Sequence, residues 1–61
     1  MQLVLDTKGL QLTKKRQSFL VSDDKENKQI SPNKVTSIAI TQNVLLSADA
    51  VQLAIKHQIP I

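Results

Sequence analysis

VTSIAITQNVLLSADAVQLAIKHQIPI, residues 35–61, is the stretch that decides the fold of this chain. Its first part, residues 35–40, carries apolar side chains at both odd and even positions. This pattern predicts a central strand that is buried on both faces. Thr41-Gln42-Asn43 predicts a turn, and Val44-Leu45-Leu46 predicts a second, shorter strand.

The helix predicted over residues 47–57 has little polar surface. Ser47 is a good N-cap, and Asp49 lies in the first turn, where the helix dipole favours a negative charge. Asp49, Gln52 and Lys56 form one narrow polar strip. The remaining arc is much wider than the apolar stripe of an ordinary surface helix, and it comprises Ala50, Val51, Leu53, Ala54 and Ile55. Such a helix needs more cover than the short strands of this chain supply.

The last four residues, Gln58-Ile59-Pro60-Ile61, predict the beginning of another apolar strand. A C-terminus is usually a polar, frayed segment. We therefore expect residues 1–61 to be an N-terminal fragment of a longer protein, forming a β-rich domain that is incomplete at its C-terminal end.

The first half of the chain predicts short β-strands joined by turns. Four apolar or alternating runs predict strands: Gln2–Asp6, Leu10–Thr13, Gln17–Ser22 and Lys28–Ile30. Turn residues separate them at Thr7-Lys8-Gly9, Lys14-Lys15-Arg16, Asp23–Asn27 and Ser31-Pro32-Asn33. This spacing indicates antiparallel hairpins. The predicted fold class is mainly β (α+β), with hairpins in a small sheet or sandwich, then one helix and the start of a further strand.

Length and composition restrict the chain to one small domain of 61 residues. An unaided core of this size rarely supplies more than about 3–5 kcal/mol. The absence of cysteine excludes disulfides and thiolate zinc sites.

No segment has the length of a membrane span or the form of a signal peptide, so we expect a cytoplasmic protein with no membrane partner. With Phe19 as the only aromatic residue, DNA contacts by base stacking are not expected.

The order of motifs in the second half resembles that of a known family. The motifs are Ile30-Ser31-Pro32, Val35-x-x-Ile38-Ala39-Ile40, Asn43-Val44-Leu45-Leu46-Ser47, Ala50-Val51-x-Leu53-Ala54 and His57-Gln58-Ile59-Pro60-Ile61. They resemble the N-terminal domain of the CRISPR-associated spacer-acquisition integrase, the first of the numbered Cas proteins. Two positions differ: the family's first proline falls one residue earlier than Pro32, and the family often has glycine where this chain has Gln58. Gln58 must adopt a left-handed backbone at a cost, or the helix must end differently.

The resemblance implies a metal-dependent DNA endonuclease and integrase that inserts spacers into CRISPR arrays in antiviral defence. It implies magnesium or manganese as cofactor of the full-length protein. Its implied partners are a second copy in a homodimer, a second Cas adaptation protein and double-stranded DNA. The family's metal-binding Glu, His and Asp lie in a downstream helical domain, so no catalytic, cofactor-binding or metal residue is expected in this chain. The β domain itself is implied to serve scaffolding and dimerisation.

Lys14, Lys15 and Arg16 form the densest basic cluster and are the candidate contacts to DNA phosphates. Neutralising a phosphate releases counterions and strengthens binding at low salt. The alternative interpretation is a solvated hairpin turn, which is the usual role of a short charge run.

Other polar residues fit structural roles better than chemical ones. Asp23, Asp24 and Glu26 lack the glycine and the ligand spacing of a calcium loop and predict a polar turn. His57 is the only histidine, without the partners of a metal site or nucleophile relay, and it suits a helix C-terminus. Ser47 predicts a cap, since no nucleophile elbow surrounds it.

Two alternatives to the integrase remain open at the level of sequence. Val35-x-x-Ile38-x-Ile40-x-x-Asn43-x-Leu45 also fits the leucine-rich-repeat consensus. Repeats are stable only when several stack, and no second copy appears upstream. The net charge of +3 also fits a free-standing basic nucleic-acid-binding module.

Overall fold

The structure is a computed structural model that describes all 61 residues. Six strands and one α-helix are joined by short connections, one of which contains a 3₁₀ turn. The elements are β1 (Gln2–Leu5), β2 (Gln11–Lys15), β3 (Ser18–Ser22), β4 (Asn27–Ile30), the 3₁₀ turn Pro32–Lys34, β5 (Ser37–Ile40), β6 (Leu45–Leu46) and α1 (Ala48–Lys56). No helix combines the length and the apolar character needed to cross a membrane.

The larger sheet has four strands in the order β4-β3-β2-β6. Strands β2, β3 and β4 form an antiparallel meander, in which Leu12 pairs with Val21 and Phe19 pairs with Ile30. This confirms the hairpins predicted for the middle of the first half. Phe19 is fully buried, as expected for the apolar face of a half-buried strand.

The prediction that the whole β-rich start is antiparallel is wrong for β1. Strand β1 does not pair with β2 but lies parallel to β5, with Leu3 opposite Ile38. The pairing places Leu3, Leu5 and Ile38 in the common core, where all three are buried. Strand β6 is likewise parallel to its neighbour β2. Both parallel pairs join strands that are distant in sequence, a relation that turn residues do not reveal.

The prediction of a strand buried on both faces at residues 35–40 is only partly right. Val35 and Ile38 are buried, but Ile40 is 37% exposed and Ala39 is half-buried. Strand β5 has backbone partners on both edges: β1 lies on one side, and the N–H of Ile38 donates to the carbonyl of Pro60 on the other, at 2.8 Å. Ile40 lies on the same face as Ile38, and the other face carries the half-buried Ser37 and Ala39, so neither face of the strand is completely buried.

One hydrophobic core joins both sheets and the helix. Strands β1, β2, β3 and β5 each contribute to it, and α1 packs on β2. The ten buried residues are Leu3, Leu5, Leu12, Phe19, Val35, Ile38, Ala50, Leu53, Ala54 and Ile59. These residues span almost the entire chain, so both sheets and the helix share one core.

The helix forms where the sequence predicts it. Its first residue is Ala48, and the Ser47 hydroxyl accepts a hydrogen bond from the N–H of Ala50 at 3.1 Å, which confirms Ser47 as the N-cap. Ala50, Leu53 and Ala54 are buried, whereas Ile55 is 69% exposed. The wide apolar arc is thus covered on one side only.

The helix ends in a Schellman motif built around Gln58. Gln58 has a φ of +56°, its N–H donates to Ile55 at 3.0 Å, and the N–H of Ile59 donates to Ala54 at 2.8 Å. This is the pair of bonds that defines the motif. Of the two possibilities left by the missing glycine, Gln58 therefore takes the left-handed backbone. Residues 58–61 form no regular strand, but they lie against β5 through the carbonyl of Pro60.

Candidate functional site

The β2–β3 hairpin brings the three candidate phosphate contacts together at one tip. Lys14 and Lys15 are the last residues of β2, and Arg16 begins the turn to β3. The sequence predicted all three residues in the turn, and this placement is wrong for the two lysines. They are held in the strand because Lys14 pairs with Phe19 and Lys15 with Ser18, which leaves only two residues to reverse the chain.

The two lysines point to opposite faces of the hairpin. Residues directly opposite each other in an antiparallel pair share a face, and neighbours along a strand alternate. Lys14 therefore lies on the side of buried Phe19, and Lys15 lies with Ser18 on the outer face. With Arg16 at the tip, the cations surround the end of the hairpin. They are exposed, as side chains that bind a polyanion must be.

Arg16 occupies a backbone conformation that is unusual for its type. Its φ is +57°, in the left-handed region that glycine and asparagine adopt more readily. For other residues this conformation costs roughly 1–2 kcal/mol. The two-residue hairpin loop accounts for it, because the turns that join antiparallel strands through two residues have a positive φ at the first of them. The sequence did not predict this conformation, because arginine is not among the residues that usually mark such a turn.

The outer face of the four-stranded sheet carries no carboxylate on β2, β3 or β4. The pairing register places polar, uncharged side chains around Leu20 and Lys15 on this face: Gln11, Thr13, Ser18, Ser22, Asn27 and Gln29. The acidic residues Asp23, Asp24 and Glu26 lie in the β3–β4 turn, at the opposite end of the meander from the basic tip. A phosphate chain approaching the tip along this face would therefore meet no fixed negative charge on these strands.

The acidic turn has a structural role. The Asp23 carboxylate accepts hydrogen bonds from the backbone N–H groups of Lys25 and Glu26, both at 2.7 Å. These two bonds lower the pKa of Asp23, and the charge of Lys28 acts in the same direction. The chain contains no group of three His, Cys, Asp or Glu residues placed to hold a metal ion.

Ser47 and His57 both belong to the helix termini. The Ser47 hydroxyl caps the first turn, and His57 ends the helix, with its backbone N–H donating to Leu53 at 3.1 Å. His57 is exposed.

Several exposed apolar side chains, on different elements, are a second kind of candidate contact. Val4 on the outer side of β1 is 46% exposed, Leu45 on the edge strand β6 is 67% exposed, and Ile55 lies open on the helix. The sequence predicted the uncovered helix but not the other two positions. A signal was present in β1, where Val4 is as apolar as its neighbours Leu3 and Leu5, so the strand has apolar residues on both faces.

Comparison with known proteins identifies a family. Residues 3–61 match the model of the family described as CRISPR associated protein Cas1. No curated protein matches the chain in sequence.

Solved structures share the fold at low sequence identity. A Cas1 protein from Thermotoga maritima has a TM-score of 0.80 at 19% identity, with 97% of this chain and 19% of that chain covered. A casposase bound to integration product has a TM-score of 0.73 at 20% identity, covering 95% and 20%. TtCas1 in complex with DNA has a TM-score of 0.75 at 9% identity, covering 88% and 20%. The chain thus spans about a fifth of the length of the proteins it matches.

Proposed function

The chain belongs to the Cas1 family, and from this premise we propose that it is the N-terminal β domain of a cytoplasmic, metal-dependent DNA endonuclease and integrase. In this proposal the full-length protein inserts spacers into CRISPR arrays, and residues 1–61 serve as scaffold and dimerisation domain. The family match over residues 3–61 carries the proposal. The fold shared with a casposase bound to integration product supports it.

The proposed chemistry belongs to a part of the protein outside this chain. The 61 residues offer no ligand set that would fit magnesium or manganese, so no catalytic step is assigned to them. The test is the reading frame beyond residue 61. It should encode a helical domain with a Glu, a His and an Asp placed to bind metal, and a frame without them would refute the proposal. The chain alone should show no nuclease activity when magnesium or manganese is added.

For the proposed homodimer, the free edge of β1 is the surface that fits best. The carbonyls of Met1 and Leu5 accept hydrogen bonds from Thr36 and Thr41, so the odd positions of β1 face β5. The backbone groups of Gln2 and Val4 therefore face away from it. Parallel sheets are normally covered on both faces, and an unpaired edge is a template for another strand.

This edge is self-complementary about a two-fold axis perpendicular to the sheet. An antiparallel pairing centred on Val4 places Val4 opposite Val4 of the second copy, and its free N–H and carbonyl form two hydrogen bonds across the axis. The same register places Leu3 opposite Leu5 of the second copy, on the core side. The core-side faces of the two copies lie on the same side of the joined sheet. The two β1–β5 pairs therefore form one four-stranded sheet.

The dimer is tested with two variants that add the same charge at different apolar positions. Val4→Lys places a lysine at the proposed axis, and Ile55→Lys places one on the open helix surface. Sedimentation velocity over a range of concentrations should give a dimer for the unmodified chain and Ile55→Lys, and a monomer for Val4→Lys. The reverse result would assign the interface to the helix. A monomeric unmodified chain at every concentration would refute dimerisation through these residues.

For double-stranded DNA, we propose that the hairpin tip supplies phosphate contacts. Lys14→Gln/Lys15→Gln removes two charges at the tip, and Lys25→Gln/Lys34→Gln removes two elsewhere as the matched control. If both lysines bind phosphates, the slope of log K against log salt should be less steep by about 2 for the first variant, since each contact contributes about −1 to that slope. Equal effects of the two variants would show that only net charge matters and would refute a specific tip.

The remaining interpretations are separated by the same measurements. A free-standing basic binding module would bind duplex DNA tightly and salt-sensitively as the isolated chain, whereas a scaffold domain would bind weakly. A leucine-rich repeat would place the strand at residues 37–40 beside the equivalent strand of a neighbouring repeat. In this structure it pairs with β1, which is not a copy of it. A second Cas adaptation protein is a further partner proposed from the family, to be sought by co-purification with the full-length protein.

A further inference from the structure

We draw no further inference here: the strongest candidate, the groove of about 190 Å³ beside the β3–β4 turn that is lined by Leu10, Val21, Ser22, Asp23, Glu26 and Lys28, carries nothing because its rim is an acidic turn whose Asp23 carboxylate is already bound by backbone N–H groups, and nothing in the structure points to a ligand.

Discussion

Replacing Gln58 by glycine should stabilise this domain. Gln58 holds the left-handed position of the Schellman motif, with a φ of +56°. A side chain there costs roughly 1–2 kcal/mol relative to a right-handed conformation. Glycine avoids this cost but loses more conformational entropy on folding, about 0.5–1 kcal/mol. The difference predicts a gain of about 0.5–1 kcal/mol for Gln58→Gly.

The matched control is the same substitution in the middle of the helix. Gln52 is exposed like Gln58 but lies inside α1, where glycine costs about 0.5–1 kcal/mol. Thermal unfolding followed by far-ultraviolet circular dichroism should therefore show a Tm higher by roughly 4–8 °C for Gln58→Gly and lower by a similar amount for Gln52→Gly. A lower Tm for both variants would show that residue 58 is not left-handed in solution. Unchanged Tm values for both would show that the helix is not formed.

Three further changes test the core, the helix start and the acidic turn. Phe19→Ala should unfold the chain, because the expected loss of about 3–5 kcal/mol equals the whole stability of a core this size, about 3–5 kcal/mol. The control is Leu20→Ala, on the opposite face of β3, which should keep the native circular dichroism spectrum. Ser47→Ala should cost about 1 kcal/mol and lower Tm, while Ser47→Asp retains the cap and should not. Asp23 has a folded-state pKa below its ordinary value of 3.8, so its contribution to stability is complete above that value and is lost as pH falls through the folded-state pKa. Acid should therefore lower Tm more for the unmodified chain than for Asp23→Asn, and equal pH profiles would contradict this role.

The elements could be predicted from sequence because each has a local physical cause. Ser47 has a side chain that satisfies a free N–H at the helix start, and its effect does not depend on the rest of the chain. Phe19 and Val21 follow the period of a strand with one apolar face. Even the missing glycine at residue 58 limited the helix end to two outcomes, and the structure takes the left-handed one.

The pairing of the strands could not be predicted in the same way. The apolar run in residues 2–5 predicts a strand, but it neither shows which face is buried nor distinguishes pairing with β2 from pairing with β5. In the structure Leu3 lies opposite Ile38, which is thirty-five residues later in the sequence. The choice of partner strand therefore depends on contacts that the local sequence does not contain. The split of Lys14 and Lys15 between two faces has the same origin, since their direction follows from the partners Phe19 and Ser18.

The basic tip and the β1 edge belong to different sheets, and this separation has a consequence for the proposed function. The tip lies at the end of β2, whereas the free edge lies on the outer side of the β1–β5 pair. Charge at the tip is therefore not in the same surface as the proposed two-fold axis. Coupling between DNA contact and dimerisation would have to pass through the shared core, where Leu12 and Phe19 of one sheet meet Leu3 and Leu5 of the other within a single cluster. Because substitutions at separate sites without shared partners usually have additive effects, independent effects are the physical expectation for variants of the tip and of the edge.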